Sequence, residues 1–405
     1  MNTVYFARYI YLGNGAILSN GAVAVHGTRI VDVAPRGRVK RTRKDRLVNL
    51  GDILLLPGFI NMHTHLEECV VRGERKTAEE SFTSFISRKG ELVRSCPRDT
   101  LLASMRLTVR ELLAQGITTI VDSSSLNLSA NILREENVRS WIINEIDQNN
   151  NSAPELDTDG SDSPTKTLQS KGLGPHAIYT APPQIQKKII QYTYEKNCVW
   201  ATHLGESSEE LQAFSEQKGD LFSLVSQKSS WPFVKTECGS VHYAITANLI
   251  PSNGICFHCN YANGHELALL SAKGVSVVLC NQYTQLMGHK SFPLEVALNR
   301  GVSICLGTEG VAAAGEMSLF DELYSLRMAH PHIPAKEMIK WVTENPAAAL
   351  GMSKQLGSIL PGKFADIIGV RFAHDQSEDM LEEMLVQDLQ VEFVLIDGEE
   401  VVVNY

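Results

Sequence analysis

The stretch that decides the fold of this 405-residue chain is Leu54-Leu-Leu-Pro-Gly-Phe-Ile-Asn-Met-His-Thr-His-Leu-Glu-Glu68. Its apolar run is typical of a strand buried on both faces, as in a parallel sheet or barrel. His63 and His65 end that run, and residues two apart on a strand point to the same face. Two imidazoles directed at one point are half of a metal site. The alternative for a bare His-x-His pair is two ordinary hydrogen-bonded histidines.

Beyond this stretch, helical patterns alternate with apolar strands. A helical segment followed by a strand recurs at residues 82–122, 129–143, 183–203, 266–280 and 294–307. Alternation over about 300 residues favours an α/β fold of the TIM-like (β/α)8 barrel type. A doubly wound open sheet is the alternative, but it would call for a G-x-G-x-x-G turn, which the sequence lacks.

Both ends of the chain are rich in short β-segments separated by Gly-Asn-Gly, Asn-Gly and Asp-Gly turns. The economical arrangement is one small β-sandwich domain assembled from both chain termini, with the barrel inserted between them. We therefore predict that residues 1–56 and 356–405 form the β-sandwich and that residues 57–355 form the barrel.

One segment breaks the alternation. Residues 149–172 have no periodic apolar positions, and we predict that they form a long loop. Asp157, Asp159 and Asp162 loosely suggest a calcium loop, but no glutamate closes that pattern.

Composition excludes several classes of function. A net charge of -9 argues against a nucleic-acid partner. The start of the chain lacks a signal-peptide pattern, and no run approaches the roughly 18 to 20 apolar residues of a membrane helix. Eight scattered cysteines suit reduced thiols in the cytoplasm, and the Cys256-x-x-Cys259 pair is expected to be part of the core. The basic run at residues 36–44 is expected to be a solvated loop.

Further predicted strands end in polar side chains, as suits the mouth of a barrel, where active sites lie on the loops after the strands. His203, His258 and Glu309 each end an apolar segment, and Glu206 lies three residues after His203. His176 comes just before another apolar segment. Such residues at several strand ends indicate one common site.

These residues complete the half-site that the opening stretch begins. His63, His65, His203 and a carboxylate form a nitrogen and oxygen ligand set for zinc or iron(II), with an open position for water. One divalent metal ion is therefore expected. Zinc is the first choice, with iron or manganese as alternatives, and such an ion lowers the pKa of bound water towards neutrality. Glu206 would then shuttle protons and His258 would orient the nucleophile.

Several motifs now carry a family resemblance, in family order across nearly the whole chain. They are Leu56-Pro-Gly-Phe-Ile-Asn-Met-His-Thr-His65, Pro175-His-Ala-Ile-Tyr-Thr180, Thr202-His-Leu-Gly-Glu-Ser207, Phe257-His-Cys-Asn260, Leu306-Gly-Thr-Glu-Gly310, Ser318-Leu-Phe-Asp-Glu-Leu323, Asn345-Pro-Ala347 and Leu356-Gly-Ser-Ile-Leu-Pro-Gly-Lys-Phe-Ala-Asp366. With them the sequence resembles the amidohydrolase superfamily, in the branch that holds guanine deaminase, S-adenosylhomocysteine deaminases and triazine hydrolases. The His-Thr-His-Leu-Glu67 run followed by Phe82-Thr-Ser-Phe-Ile86 is similar to enzymes that deaminate 6-amino-6-deoxyfutalosine.

The resemblance implies roles for single residues. His63, His65 and His203 would be metal ligands, Glu206 the general acid and base, and His258 a catalytic histidine. His176 and Glu67 would contact the substrate. Glu309 would serve both as a metal ligand and as a catalytic group.

Two positions depart from the family pattern. Residue 309 is a glutamate where the family normally has an aspartate, and an extra methylene displaces a carboxylate by roughly 1.5 Å. Cys280-Asn-Gln-Tyr-Thr284 and Val311-Ala-Ala-Ala-Gly315 stand where relatives carry Ser-Asn-type polar residues.

The expected activity is hydrolytic deamination of an aminated heterocycle of purine type, with release of ammonia. The alternatives are hydrolysis of another C–N or C–Cl bond, and a catalytically impaired metal-binding homologue. The expected partner is a small-molecule substrate, and a homodimer is left open because relatives are often dimers.

Overall fold

The computed structural model describes residues 1–146, 168–228, 235–236, 238–310, 317–372, 379–386 and 389–401. In chain order its strands are β1 Thr3–Gly13, β2 Ala16–His26, β3 Arg29–Pro35, β4 Arg46–Asn49, β5 Leu54–Pro57, β6 Phe59–Thr64, β7 Ile117–Ser124, β8 Arg139–Ile146, β9 Gln169–Pro175, β10 Val199–Leu204, β11 Ile255–His258, β12 Ser276–Leu279, β13 Ser303–Leu306, β14 Ile367–Phe372, β15 Leu389–Ile396 and β16 Glu399–Glu400.

The helices lie mainly between the strands of the middle region. They are a 3-10 helix at Leu66–Val71, then α1 Phe82–Ser95, α2 Arg98–Ala114, α3 Ser129–Glu135, α4 Pro183–Lys196, α5 Ser208–Glu216, α6 Gly219–Lys228, α7 Ser240–Thr246, α8 Gly264–Ala272, α9 Asn281–Leu286, α10 Leu294–Asn299, α11 Leu319–Ala329, α12 Ala335–Lys340, α13 Glu344–Ala349 and α14 Met380–Met384. Within the described part of the chain, none of these helices has the length and apolarity needed to cross a membrane.

Strands β6 to β13 form an eight-stranded sheet in sequence order, and every neighbouring pair is parallel. The first and last strands meet at the C-terminal end, where the backbone N–H groups of Thr308 and Glu309 both donate to the carbonyl of His63 at 3.0 Å. The predicted TIM-like barrel is therefore confirmed. Because the barrel closes beside His63, closure itself brings the first and last strand ends together.

The interior of the barrel is filled with apolar side chains rather than open. Ile60, Met62, Trp141, Ile143 and Phe257 belong to one buried cluster. Phe257 stacks on the ring of His63 with centroids 3.7 Å apart. Because side chains alternate along a strand, the inward face that holds Trp141 and Ile143 continues to Glu145 where β8 ends.

The terminal strands form the second sheet, as predicted for a small β-domain built from both ends of the chain. Its order is β16-β15-β14-β5-β1-β2-β3, with β4 paired to β1. β5 links the two ends of the chain, since it runs parallel to β1 and antiparallel to β14. The boundaries at 56/57 and 355/356 stay a prediction.

A buried ion pair joins the two sheets. The guanidinium of Arg139, on barrel strand β8, donates to Asp366 at 2.7 and 3.1 Å and to Asp397 at 3.2 Å. The ring of Phe364 lies 4.2 Å from the Arg139 guanidinium carbon. Arg139 thus ties the barrel to the C-terminal part of the second sheet.

The predicted loop at residues 149–172 is wrong at its C-terminal end. Gln169–Gly172 belongs to β9 and pairs in parallel register with Ser140–Ile143 of β8. The strand is formed by pairing with a neighbour already in the barrel, which overrides its weak local pattern. The aspartates at 157, 159 and 162 lie outside the described residues.

Candidate metal centre and active site

Four predicted ligands, His63, His65, His203 and Glu309, converge at the C-terminal mouth of the barrel, and we call them the ligand cluster. His63 Nε2 lies 3.0 Å from His203 Nε2 and 2.6 Å from Glu309 Oε2. His65 Nε2 lies 3.2 Å from both His203 Nε2 and Glu309 Oε1. None of the four is more than 5% exposed.

The spacing within the ligand cluster fits a bound divalent cation. Two nitrogen ligands of a tetrahedral zinc ion lie about 3.3 Å apart, because each Zn–N bond is about 2.05 Å. Three of the four separations, at 3.0 to 3.2 Å, are close to that value, and the 2.6 Å between His63 Nε2 and Glu309 Oε2 is shorter. Three imidazole nitrogens and a carboxylate at these distances direct several lone pairs at one buried point. A cation at that point would be coordinated by all of them at once.

Glu309 reaches the ligand cluster from an unusual backbone conformation. Its φ is +59°, in the left-handed region that non-glycine residues seldom occupy and that recurs at functional sites. A side chain at Gly307 would place Cβ 2.6 Å from the Cβ of His63, so only glycine allows this close approach. Burial alone would raise the pKa of Glu309, but His63 and His65 hold it well below its usual range. Glu309 is therefore a carboxylate.

His203 is fixed by the strand beside it. Its Nδ1 donates to the backbone carbonyl of His176 at 2.6 Å, which leaves Nε2 free to face the ligand cluster. Such an outer hydrogen bond sets the tautomer and the ring orientation of a ligating histidine. The sequence predicted both residues but not this link between them.

The side chain of His176 has an acidic partner, Glu145, at the end of β8. His176 Nδ1 lies 2.9 Å from Glu145 Oε2, and the His176 side chain is 32% exposed. Burial works to raise the pKa of Glu145, but the neighbouring His176 lowers it overall. The carboxylate holds Nδ1 as the donor and leaves His176 Nε2 as the atom available for hydrogen bonding to a substrate.

Glu206 and His258 face each other across the mouth. His258 Nε2 lies 3.9 Å from Glu206 Oε1 and 3.5 Å from Glu309 Oε2. Burial, together with the charges of Glu309 and Glu210, raises the pKa of Glu206 well above its usual range. Burial also lowers the pKa of His258 to about 3. The raised pKa of Glu206 favours its protonated form and the lowered pKa of His258 favours its neutral form, so the site places an acid beside a base.

Glu67, for which the resemblance implies a substrate contact, is bound by other groups of the protein. Its two carboxylate oxygens accept hydrogen bonds from the Ser124 hydroxyl at 2.6 Å and from the backbone N–H groups of Ser125, Leu126 and Leu128 at 2.8 to 2.9 Å. It is 2% exposed. Because these groups already occupy both oxygens, we reassign Glu67 from substrate contact to an anchor that ties the 3-10 helix to the loop after β7.

An apolar cap packs close to the site. Phe82 and Phe85 of α1 contact Cys280, Tyr283 and Met287 from the segment after β12, and all five are buried. The hydroxyl of Tyr283 hydrogen-bonds to Glu206, which places the cap directly beside the acid. Apolar and aromatic side chains of this kind suit a planar heterocycle.

Several site residues were missed by sequence reasoning, and one of them had a usable signal. Trp141 and Ile143 line the barrel interior, so residue 145 falls on the same face of β8. Extending the predicted strand by two residues would have placed Glu145 at the mouth. Lys89, which is buried and pairs with Glu68 at 2.6 Å, and His289, which lies 4.0 Å from Glu206, had no comparable signal.

Comparison with known proteins adds a family and a set of relatives. Residues 54–401 match the model of the amidohydrolase family. A 5-methylthioadenosine/S-adenosylhomocysteine deaminase from Pelotomaculum thermopropionicum is 24% identical over 416 aligned positions, covering 96% of this chain and 90% of the relative.

Two solved structures share the fold. Helicobacter pylori aminofutalosine deaminase, in complex with methylthio-coformycin, has a TM-score of 0.84 at 20% identity, covering 99% of this chain and 100% of the other. An Arthrobacter aurescens atrazine chlorohydrolase complexed with zinc has a TM-score of 0.81 at 18% identity, covering 99% and 95%.

Proposed function

This chain belongs to the amidohydrolase family, and we propose that it is a metal-dependent hydrolytic deaminase of an aminated heterocycle. The substrate class is an adenine-type nucleoside, with 6-amino-6-deoxyfutalosine as one candidate. The relative from Pelotomaculum and the deaminase from Helicobacter both act on compounds of this type by name, and this supports the proposal.

The observation that carries the proposal is the ligand cluster beside a protonated acid and a neutral base. His63, His65, His203 and Glu309 would hold one divalent cation, with zinc as the ion that best suits three imidazoles and a carboxylate in a tetrahedral arrangement. When bound there, the ion lowers the pKa of a water molecule and so makes it a nucleophile near neutral pH.

The protein's own groups supply the proton transfers. Glu206 donates its proton to the ring nitrogen next to the carbon that bears the amino group, which makes that carbon electrophilic. The neutral His258 orients the attacking water and accepts its proton through Nε2. The same proton then passes to the departing amine, and the proton left on the added oxygen returns to the Glu206 carboxylate. Water and the amidine-like group thereby become a carbonyl and ammonia, and both residues regain their starting protonation.

Substrate binding uses the two remaining features of the mouth. His176 Nε2, oriented by Glu145, hydrogen-bonds to the edge of the heterocycle. The cap formed by Phe82, Phe85 and Tyr283 covers its face and excludes water from the reacting atoms. This arrangement favours a flat aminated ring over a peptide or a sugar.

Glu309 also bears on the impaired-homologue alternative. Its carboxylate lies within 3.2 Å of both His63 Nε2 and His65 Nε2, so the substitution for aspartate leaves the ligand set complete. An active enzyme is therefore favoured over a decayed one. A homodimer and a cytoplasmic location stay predictions.

The test is ammonia release from the zinc-loaded protein with adenosine, 5′-deoxyadenosine, 5-methylthioadenosine, S-adenosylhomocysteine, guanine and 6-amino-6-deoxyfutalosine, with product masses recorded. Glu206→Gln is the matched control, since it keeps the shape of the side chain and the metal ligands but removes the acid. We expect turnover of at least one adenine-type substrate and a loss of at least about a hundredfold in the variant. A chlorotriazine is tested beside them, and no ammonia from the six compounds, with chloride or alkylamine released from the triazine, would assign the other hydrolytic activity.

A further inference from the structure

We propose that His258, Cys280 and Glu309 form a second cation site for a thiophilic divalent ion, and that an ion there inhibits the enzyme. The inhibition rests on the proposed deaminase function, whereas the site itself does not. Cys280 has no part in the proposed mechanism, although it lies among the catalytic groups.

The three residues come from consecutive strand ends of the barrel. His258 ends β11, Cys280 directly follows β12, and Glu309 follows β13. One potential ligand atom from each lies within 4.8 Å of the other two. All three side chains are almost inaccessible, with relative exposures of 0%, 1% and 3%. Parallel strands in sequence order therefore bring an imidazole, a thiol and a carboxylate to one buried point.

His258 supplies the second, independent observation. Both of its ring nitrogens are buried, and neither has a hydrogen-bond partner among the described protein atoms. A buried polar group without a partner costs on the order of 1 to 3 kcal/mol. Nε2 is directed into the cluster, 3.5 Å from Glu309 Oε2. An ion at this point would give His258 the partner that the protein itself does not supply.

Glu309 connects the two sites. Its Oε1 lies 3.2 Å from His65 Nε2, while its Oε2 lies 2.6 Å from His63 Nε2 and 3.5 Å from His258 Nε2. One carboxylate can therefore bridge two ions, as in two-metal sites where the ions are about 3.5 to 4 Å apart.

The donor set defines the class of ion. A thiolate with an imidazole selects soft or borderline ions such as zinc and cadmium over magnesium, calcium or manganese. Ligand atoms of a bound zinc would be about 3.4 to 3.6 Å apart. His258 Nε2 and Glu309 Oε2 already lie 3.5 Å apart. Because this site offers three protein ligands rather than four and shares Glu309 with the ligand cluster, we expect weaker binding here than at the ligand cluster.

The consequence is inhibition. An ion bound to His258 Nε2 occupies the lone pair that orients and deprotonates the nucleophile in the proposed mechanism. Excess zinc or cadmium would then slow turnover without displacing the first ion.

The experiment starts from protein that carries one equivalent of zinc and adds zinc or cadmium. Bound metal is counted by elemental analysis, and sulfur coordination is read from X-ray absorption and from the ultraviolet thiolate-to-cadmium band. We compare wild type with Cys280→Ser and with Cys238→Ser, which removes an exposed thiol outside the site. The wild type and Cys238→Ser should bind a second equivalent with a sulfur neighbour at about 2.3 Å for zinc. Cys280→Ser should keep one equivalent and lose the sulfur signal.

Activity gives a separate readout. Inhibition by excess zinc should weaken at least tenfold in Cys280→Ser and stay unchanged in Cys238→Ser. A wild-type protein that stops at one equivalent, or a second ion without a sulfur neighbour, would overturn the site, and neither result depends on a variant that folds. If the metal counts agree but no substrate is turned over, the proposed function fails while the site stands.

Discussion

Replacing Glu309 by aspartate restores the residue that the family pattern expects, yet we predict that it damages the site. The substitution removes one methylene and draws the carboxylate back by about 1.5 Å, the length of one C–C bond. The separation from His63 Nε2 would grow from 2.6 Å to about 4 Å, and that from His65 Nε2 from 3.2 Å to nearly 5 Å.

Two contacts hold the backbone in place and oppose a compensating shift. The Glu309 N–H donates to the carbonyl of His63 at 3.0 Å, and Gly307 already packs against the same histidine. A displacement of this size costs on the order of a hundredfold when positioning matters. That loss corresponds to about 2.7 kcal/mol of transition-state stabilisation.

The assay measures kcat/KM for the best substrate together with zinc affinity in a competition titration. Glu309→Asp should fall about a hundredfold in kcat/KM and also bind zinc more weakly. Glu79→Asp makes the same chemical change at an exposed position and should leave both quantities unchanged. A Glu309→Asp variant that is more active than wild type would refute the reasoning and show that the glutamate at position 309 impairs catalysis.

Three further substitutions test other contacts. Glu145→Gln should raise KM more than it lowers kcat, because His176 loses the charged partner that orients it for the substrate. The zinc content of this variant should stay at one equivalent. Arg139→Met should lower the free energy of unfolding by about 3 to 5 kcal/mol, measured by urea denaturation, because Asp366 is left buried without its partner. Glu67→Ala should lower the free energy of unfolding by about 2 to 3 kcal/mol in the same assay, because several buried N–H donors lose their acceptor. The metal content should be unchanged.

The sequence predicted the barrel from local patterns whose physical basis is short-range. Helical spacing at 129–135 and 183–196 agrees with α3 and α4 to the residue, and the strand predicted before the His-x-His pair is observed as β6, which ends at Thr64 between the two histidines. Apolar periodicity reports which face of an element is buried, and that is decided within a few turns of the chain. By contrast, Gln169–Gly172 becomes a strand only because β8 offers it a partner, so its own residues could not predict it.

For the site, the sequence identified residue types at strand ends, while the tertiary structure decided which of them face each other. His63, His65, His203, His258, Glu206 and Glu309 were all predicted, because metal and proton chemistry restricts which side chains serve. Glu67 carries the same carboxylate but is occupied by donors of the loop after β7. Those contacts are made with residues nearly sixty positions away, which no local pattern encodes.

The decisive case is Glu309. Sequence alone established that the carboxylate is one methylene too long for the usual pattern, and it left two readings open, a working site or a decayed one. Only the closed barrel shows that the last strand approaches His63 at Gly307 and then turns with a φ of +59°, so that the longer side chain reaches both histidines. The length of a side chain has a functional meaning only relative to the backbone that carries it, and that backbone position is set by the closure of eight strands.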